Sequence, residues 1–136
     1  YIMKVISWDL SQLSVYGNDY NTIDGTWMRD YIHVEDLALW HLASLEWLYM
    51  QKSVWVFEVF NLGTGIATSV MEMIHYTEYI IWKPLSYNIS QRRNWDIASV
   101  YCNPNKAENI LWWKAQKTVK TAIADSLKFI TMHQWK

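Results

Sequence analysis

At 136 residues the chain is long enough to bury a core of its own, as one domain or as part of a larger protein. A net charge of −1 gives no electrostatic case for nucleic acid or an acidic membrane surface. The single cysteine, Cys102, excludes an intrachain disulfide and fits a reducing compartment.

No apolar run reaches the ~18–20 residues of a membrane span, and Tyr1–Leu10 lacks the layout of a signal peptide, so a cytoplasmic protein is expected. A first residue other than Met marks a processed chain or a piece of a longer one. Tyr1–Ser7 reads as a short amphipathic helix. Leu13–Tyr16 alternates and runs into Gly17-Asn18-Asp19, a strand entering a turn. Tyr20–Gly25 is polar loop. Leu37, Ala38, His41, Leu42, Leu45 and Leu48 recur at helical spacing and predict a helix of about 15 residues from Val34. Val54–Leu62 is rich in β-formers and closes on Gly63-Thr64-Gly65, a buried strand and sharp turn. Ser69-Val70-Met71-Glu72 is a capping box, opening a helix to about Ile80. Pro84–Ile89 and Ile97–Tyr101 read as short strands. Asn103-Pro104 places an N-cap before a first-turn proline, starting a helix through Leu111. Thr118–Met132 predicts a last helix. Strands and helices interleave, so the fold class is α/β.

His33 and His41, with Glu35 and Asp36 near, form a conceivable metal site, but no HExxH motif or Cys/His cluster accompanies them, and a structural role is the plainer reading. Gly63-Thr64-Gly65 falls short of a dinucleotide fingerprint, whose third glycine would stand at Thr68. The informative group is Arg92-Arg93-Asn94-Trp95-Asp96 with Arg29. Planar guanidinium forks match phosphate oxygens, and Asp96 can accept from sugar hydroxyls. The plain alternative is a solvated loop with surface ion pairs worth ~0–1 kcal/mol.

The stretch LSVYGNDYNTIDGTWMRDYIHVEDLA (Leu13–Ala38) closely resembles the UDP-glucose 4-epimerases of the extended short-chain dehydrogenase/reductase superfamily. FEVFNLGTG (Phe57–Gly65), SVMEMI (Ser69–Ile74), RRNWD (Arg92–Asp96) and NPNKAENILWWKA (Asn103–Ala115) follow in that family's order and spacing. The resemblance covers nearly the whole chain, and only the C-terminal two-fifths or so of such an enzyme. It implies that residues 1–136 are a UDP-sugar-binding C-terminal region. It also implies that residues from about 32 to 62, the helix after Val34 and the strand Val56–Leu62, pack with an N-terminal Rossmann domain that binds NAD. Alone, that strand would leave unpaired backbone and apolar surface, an aggregation liability.

The resemblance further implies that Ser14, Val15 and Tyr16 read the uracil, that Arg29 and Arg93 clamp the diphosphate, that Asp96 holds the ribose and that Val70 lines the pocket. Val100 matches the residue that gates the sugar ring; its modest size implies tolerance of UDP-N-acetyl sugars beside UDP-glucose and UDP-galactose. The hydride transfer at C4, its tyrosine base, its lysine and the NAD fingerprint belong to the N-terminal part. No catalytic, cofactor-binding or metal-binding residue is therefore expected in this chain, and no epimerase activity from it alone. Full-length members are often homodimers. Two alternatives stand: a nucleotide-sugar dehydratase or decarboxylase fragment, and a non-catalytic aromatic-rich carbohydrate-binding module.

Against the family pattern, Trp8, Trp27, Trp40, Trp55, Trp82, Trp95 and Trp112 stand where glycine is expected. Trp113 matches a family tryptophan, and Trp47 and Trp135 are unassigned. The chain has 10 Trp and only 4 Gly, whereas glycine averages about 7% of residues. Glycine serves where φ is positive or a backbone comes close, and a bulky residue there costs roughly 1–2 kcal/mol before any clash. A stop codon read as glycine in the source and as tryptophan in translation accounts for all seven; an altered sequence is the alternative.

Overall fold

The computed structural model describes residues 1–52 and 55–133, so Val54 and Trp135 lie outside the described residues. The elements run α1 (Ile2–Ile6), β1 (Leu13–Tyr16), β2 (Met28–Asp30), α2 (Val34–Tyr49), β3 (Ala67–Ser69), α3 (Val70–Ile81), β4 (Tyr87–Ser90), β5 (Ser99–Val100), α4 (Asn105–Leu111) and α5 (Val119–His133). The alternation makes an α/β fold with two small sheets. β1 pairs parallel with β4, Leu13 opposite Tyr87. In the second sheet β2 is central, antiparallel to β3 and parallel to β5.

The capping box is formed as its spacing dictates. Ser69 Oγ accepts from Glu72 N–H at 3.0 Å, and the Glu72 carboxylate accepts from Ser69 N–H at 2.8 Å. This starts α3, whose Val70 and Ile74 bury against Val5, Leu13, Val15 and Leu85 in the first core cluster. α1 adds Ile2 and Ile6 to this cluster, and α5 packs against α3 and α1. A second core gathers Ala107, Leu111 and Trp113 with Trp40, Ala43 and Trp47 of α2. The start of α4 lies one residue later than the Asn-Pro reading: Pro104 is the capping residue, and the Asn103 carboxamide oxygen accepts from Asn105 N–H at 3.0 Å.

One expectation changes. The predicted strand from Val54 to Leu62 forms no ladder among the described residues: 55–62 has no strand beside it, and Trp55, Phe57 and Val59 are exposed. A strand exists only through its partner's hydrogen bonds, so β-propensity alone does not make one. In α2 the helix is present, but Leu39, Leu42, Leu45 and Leu48 are exposed. The face buried in this chain is Trp40, Ala43 and Trp47, the same 3–4 spacing rotated around the helix. No helix among the described residues is long and apolar enough to cross a membrane.

Candidate functional site

One edge of β1 is taken by β4, and its other edge has no ladder partner among the described residues. Leu13 N–H donates to Ser86 C=O at 2.9 Å and Gly17 N–H to Ser90 C=O at 2.8 Å. Backbone groups alternate sides along a strand, so Leu13, Val15 and Gly17 face β4. Ser14 and Tyr16 turn their peptide groups to the open edge. Val15 is thereby removed from the candidate contacts: its side chain is 1% exposed, in the core, and its backbone faces β4. The open edge borders a cavity of about 670 Å³ whose walls include Ser14, Tyr16, Trp27, Tyr31, Val70 and Arg93. Burial raises the Tyr31 hydroxyl's pKa above its usual value despite the nearby Arg29 charge.

Arg93 and Tyr16 meet at this cavity, with the guanidinium carbon 4.7 Å from the ring centroid. Arg93 Nε donates to Asp96 Oδ2 at 2.9 Å and Nη2 to Oδ1 at 3.2 Å, a two-pronged pair on a short loop. Arg29 lies in β2 directly opposite Val100 of β5. Its Nη1 donates to Met28 C=O at 2.7 Å and to Ile97 C=O at 2.8 Å. The two guanidiniums, far apart in sequence, are thus anchored on consecutive residues, Asp96 and Ile97. Nε and Nη2 of Arg29 donate to nothing among the described residues. Trp27 stands between the two groups of residues: it lines the cavity, and Arg29 stacks on its ring at 4.7 Å.

The third arginine of the sequence reading is spent elsewhere. Arg92 Nε pairs with Asp19 Oδ1 at 2.5 Å, and the guanidinium lies 3.9 Å from the Tyr20 centroid. It braces the loop after β1 at Gly17, where φ is +84° and a Cβ would meet Arg92 Cγ at 2.6 Å. Only glycine fits there.

Three aspartates hold the frame, Asp24, Asp30 and Asp36, of which sequence reading named only Asp36, beside a conceivable metal site. Asp24 accepts from Thr26 N–H at 2.9 Å and Thr26 Oγ1 at 2.7 Å, and from the Ser69 hydroxyl, tying the loop before β2 to the start of α3. Asp30 accepts from Thr64 N–H, Thr64 Oγ1 and Gly65 N–H at 2.9, 2.7 and 2.9 Å. Burial pushes both carboxyls up, but these hydrogen bonds outweigh it and hold both below their ordinary pKa. Asp36, buried on α2, accepts from Gln116 and Lys117 N–H at 3.1 and 2.8 Å. The available signal was Asp two residues before Thr in Asp24-Gly25-Thr26, the pattern of a side chain closing its own turn.

Asp30 also decides what the Gly63–Gly65 turn is for. Its backbone donors already hold a carboxylate, and a Cβ at Gly63 would meet Asp30 Oδ2 at 2.4 Å. The turn therefore does not fit the pyrophosphate of NAD, whose cradle needs free N–H groups. His33 is a helix cap: Nδ1 accepts from Glu35 N–H at 3.0 Å, and Nε2 faces Asp125 Oδ2 at 3.2 Å. His41 Nδ1 lies 2.7 Å from Leu37 C=O. Among the described residues no group of His, Cys, Asp and Glu is arranged to hold a metal ion.

No protein-family model matches the chain. It is 44% identical over 131 residues to a UDP-glucose 4-epimerase of Bifidobacterium longum, covering 96% of this chain and 37% of that protein. With the UDP-glucose 4-epimerase of Bacillus subtilis it shares 41% identity, over 95% of this chain and 37% of that protein. The crystal structure of the Bifidobacterium longum enzyme in complex with NAD+ and UDP superposes with a TM-score of 0.89 at 43% identity, covering 98% of this chain and 39% of that one. A UDP-glucose-4-epimerase from Stenotrophomonas maltophila with bound NAD and formylated UDP-arabinopyranose gives a TM-score of 0.92 at 35% identity, over 100% and 40%. The chain thus spans well under half the length of these relatives, and what it matches is their C-terminal part.

Proposed function

Because the chain belongs with the UDP-glucose 4-epimerases, as the counterpart of their C-terminal part, we propose that it is the nucleotide-sugar-binding portion of an enzyme interconverting UDP-glucose and UDP-galactose. The observation that carries this reading is the anchoring of Arg29 and Arg93 on neighbouring residues of one loop, with Arg93 lining a cavity edged by an open strand and Arg29 stacked on Trp27 of its wall. Peptide groups of Ser14 and Tyr16 take the uracil edge, as an added strand would. Val70 supplies an apolar wall. Arg29 offers its unused nitrogens to the diphosphate. Arg93 exchanges the Asp96 carboxylate for phosphate oxygens, which releases Asp96 to accept from the ribose hydroxyls. Val100, half exposed opposite Arg29, borders the sugar, and its size admits an N-acetyl group.

NAD belongs to the larger part of such an enzyme that this chain does not span. The described residues bind and orient the substrate; none of them is assigned a step of the reaction. The exposed leucines of α2 and the segment 55–62 form the face turned toward that part. The carbohydrate-binding-module reading is not favoured: the exposed indoles of Trp8, Trp82 and Trp112 stand at or after helix ends, and those of Trp55 and Trp95 lie outside helices and strands.

The test is calorimetric titration of the full-length gene product with UDP and with uridine. Arg29→Lys and Arg93→Lys each keep the charge and lose the fork. Each is expected to weaken UDP about tenfold or more while leaving uridine unchanged. UDP affinity unaffected by both substitutions ends the proposal.

A further inference from the structure

Six tryptophans among the described residues separate into two physical kinds. Trp113 is buried in the second core, and Trp47 meets Phe60 edge to face at 5.7 Å; there the indole is what the packing uses. Trp8, Trp82, Trp95 and Trp112 are 83%, 85%, 96% and 92% exposed. Their aromatic contacts are superficial: Lys83 Nζ lies 5.9 Å from the Trp8 ring, and Trp82 is tilted 6.0 Å from Tyr79.

The same four have φ of +65°, +54°, +74° and +53°, and among the described residues no other non-glycine residue has positive φ. The remaining positive-φ residues are Gly17, Gly25 and Gly65. Left-handed backbone is disfavoured for a side chain that branches into a bulky ring, and asparagine or aspartate is the usual substitute when glycine is absent. Three of the four sites end helices: Trp82 caps α3 and Trp112 caps α4 in the left-handed conformation, and Trp8 follows the C-cap Ser7 of α1. That is the position where glycine terminates helices. Trp95 makes the turn that lets Arg93 reach back to Asp96.

We propose that positions 8, 82, 95 and 112 are glycine in the native polypeptide, encoded by a codon that the source reads as glycine and that has been read as tryptophan here. The backbone at these four sites has the conformation glycine permits, and nothing around them uses an indole. Trp27, Trp40 and Trp55, which lack positive φ, are outside the proposal. Trp27 and Trp40 each bury an indole N–H with no partner among the described residues, but so does Trp113, and that feature does not discriminate.

Tryptic peptides of the protein isolated from its native source decide the matter by mass spectrometry. Ala107–Lys114 carries its own control, since position 112 is expected to be glycine and position 113 tryptophan; Asn94–Lys106 reports position 95. Tryptophan at either 95 or 112 overturns the proposal. A second measurement compares the full-length product with all four as Trp, Gly or Ala. Glycine is expected to raise the Tm by roughly 1–3 °C per site in a chain of full length, and alanine by less, because it keeps the left-handed strain. Equal melting temperatures for the three also overturn it.

Discussion

Arg93 and Asp96 close a two-pronged ion pair three residues apart, with the guanidinium lying over Tyr16. The pair places the proposed phosphate ligand and the proposed ribose acceptor in direct competition for one another. On the proposed reading, ligand binding exchanges this contact for phosphate and ribose partners.

Asp96→Ala should therefore split two ligands. Inorganic pyrophosphate, which needs only the fork, should bind up to about fivefold more tightly, the weight of an exposed ion pair. UDP should bind more weakly, having lost its ribose acceptor. Calorimetry on the full-length product measures both; parallel changes for the two ligands refute the exchange.

Trp27 sits between the cavity and Arg29. Trp27→Ala opens the cavity onto that guanidinium, and UDP affinity should rise severalfold. The same change empties part of the first core's margin and should cost about 1–3 kcal/mol in denaturant unfolding. A UDP affinity that falls would show the indole to be part of the binding surface.

Asp24 and Asp30 have folded pKa values below their ordinary 3.8. A carboxylate held below its unfolded value contributes stability that is fully present above that value and fades as pH falls through the folded one. Denaturant unfolding between pH 7 and pH 3 should show a loss beginning near pH 4. Asp30→Asn should lower stability at pH 7 by about 1–3 kcal/mol and flatten the acid limb. An acid limb of unchanged steepness in the variant would assign the loss to other groups.

His33 joins two helices, capping α2 through Nδ1 and facing Asp125 of α5 through Nε2. His33→Ala should cost about 1–2 kcal/mol through the lost cap and the unpaired neighbour. His33→Asn, which can still cap, should recover part of this. Equal losses in the two variants would locate the effect in packing.

Local chemistry was legible in the primary structure wherever a feature needs only neighbours. Ser69 and Glu72 cap their own helix from three residues apart, and the 3–4 spacing of α2 shows a helix whichever face is buried. The left-handed sites at Trp8, Trp82, Trp95 and Trp112 were also marked in advance, by the resemblance and by a glycine shortage. What stayed hidden depends on partners distant in the chain. β2 and β3 are three residues each and exist only by sheet pairing, β2 with both β3 and β5, and the β-rich segment 55–62 joins no ladder among the described residues. Ser14, Val15 and Tyr16 look alike as strand residues, and only the ladder with β4 turns Val15 away from the cavity. Composition pointed to three arginines and the resemblance to Arg29 and Arg93; tertiary contacts supply the physical reason, with Arg92 spent on Asp19 while Arg29 and Arg93 bond to consecutive residues of one loop. Sequence determines which groups are available and which way short segments bend; long-range hydrogen bonds decide which of those groups are still free.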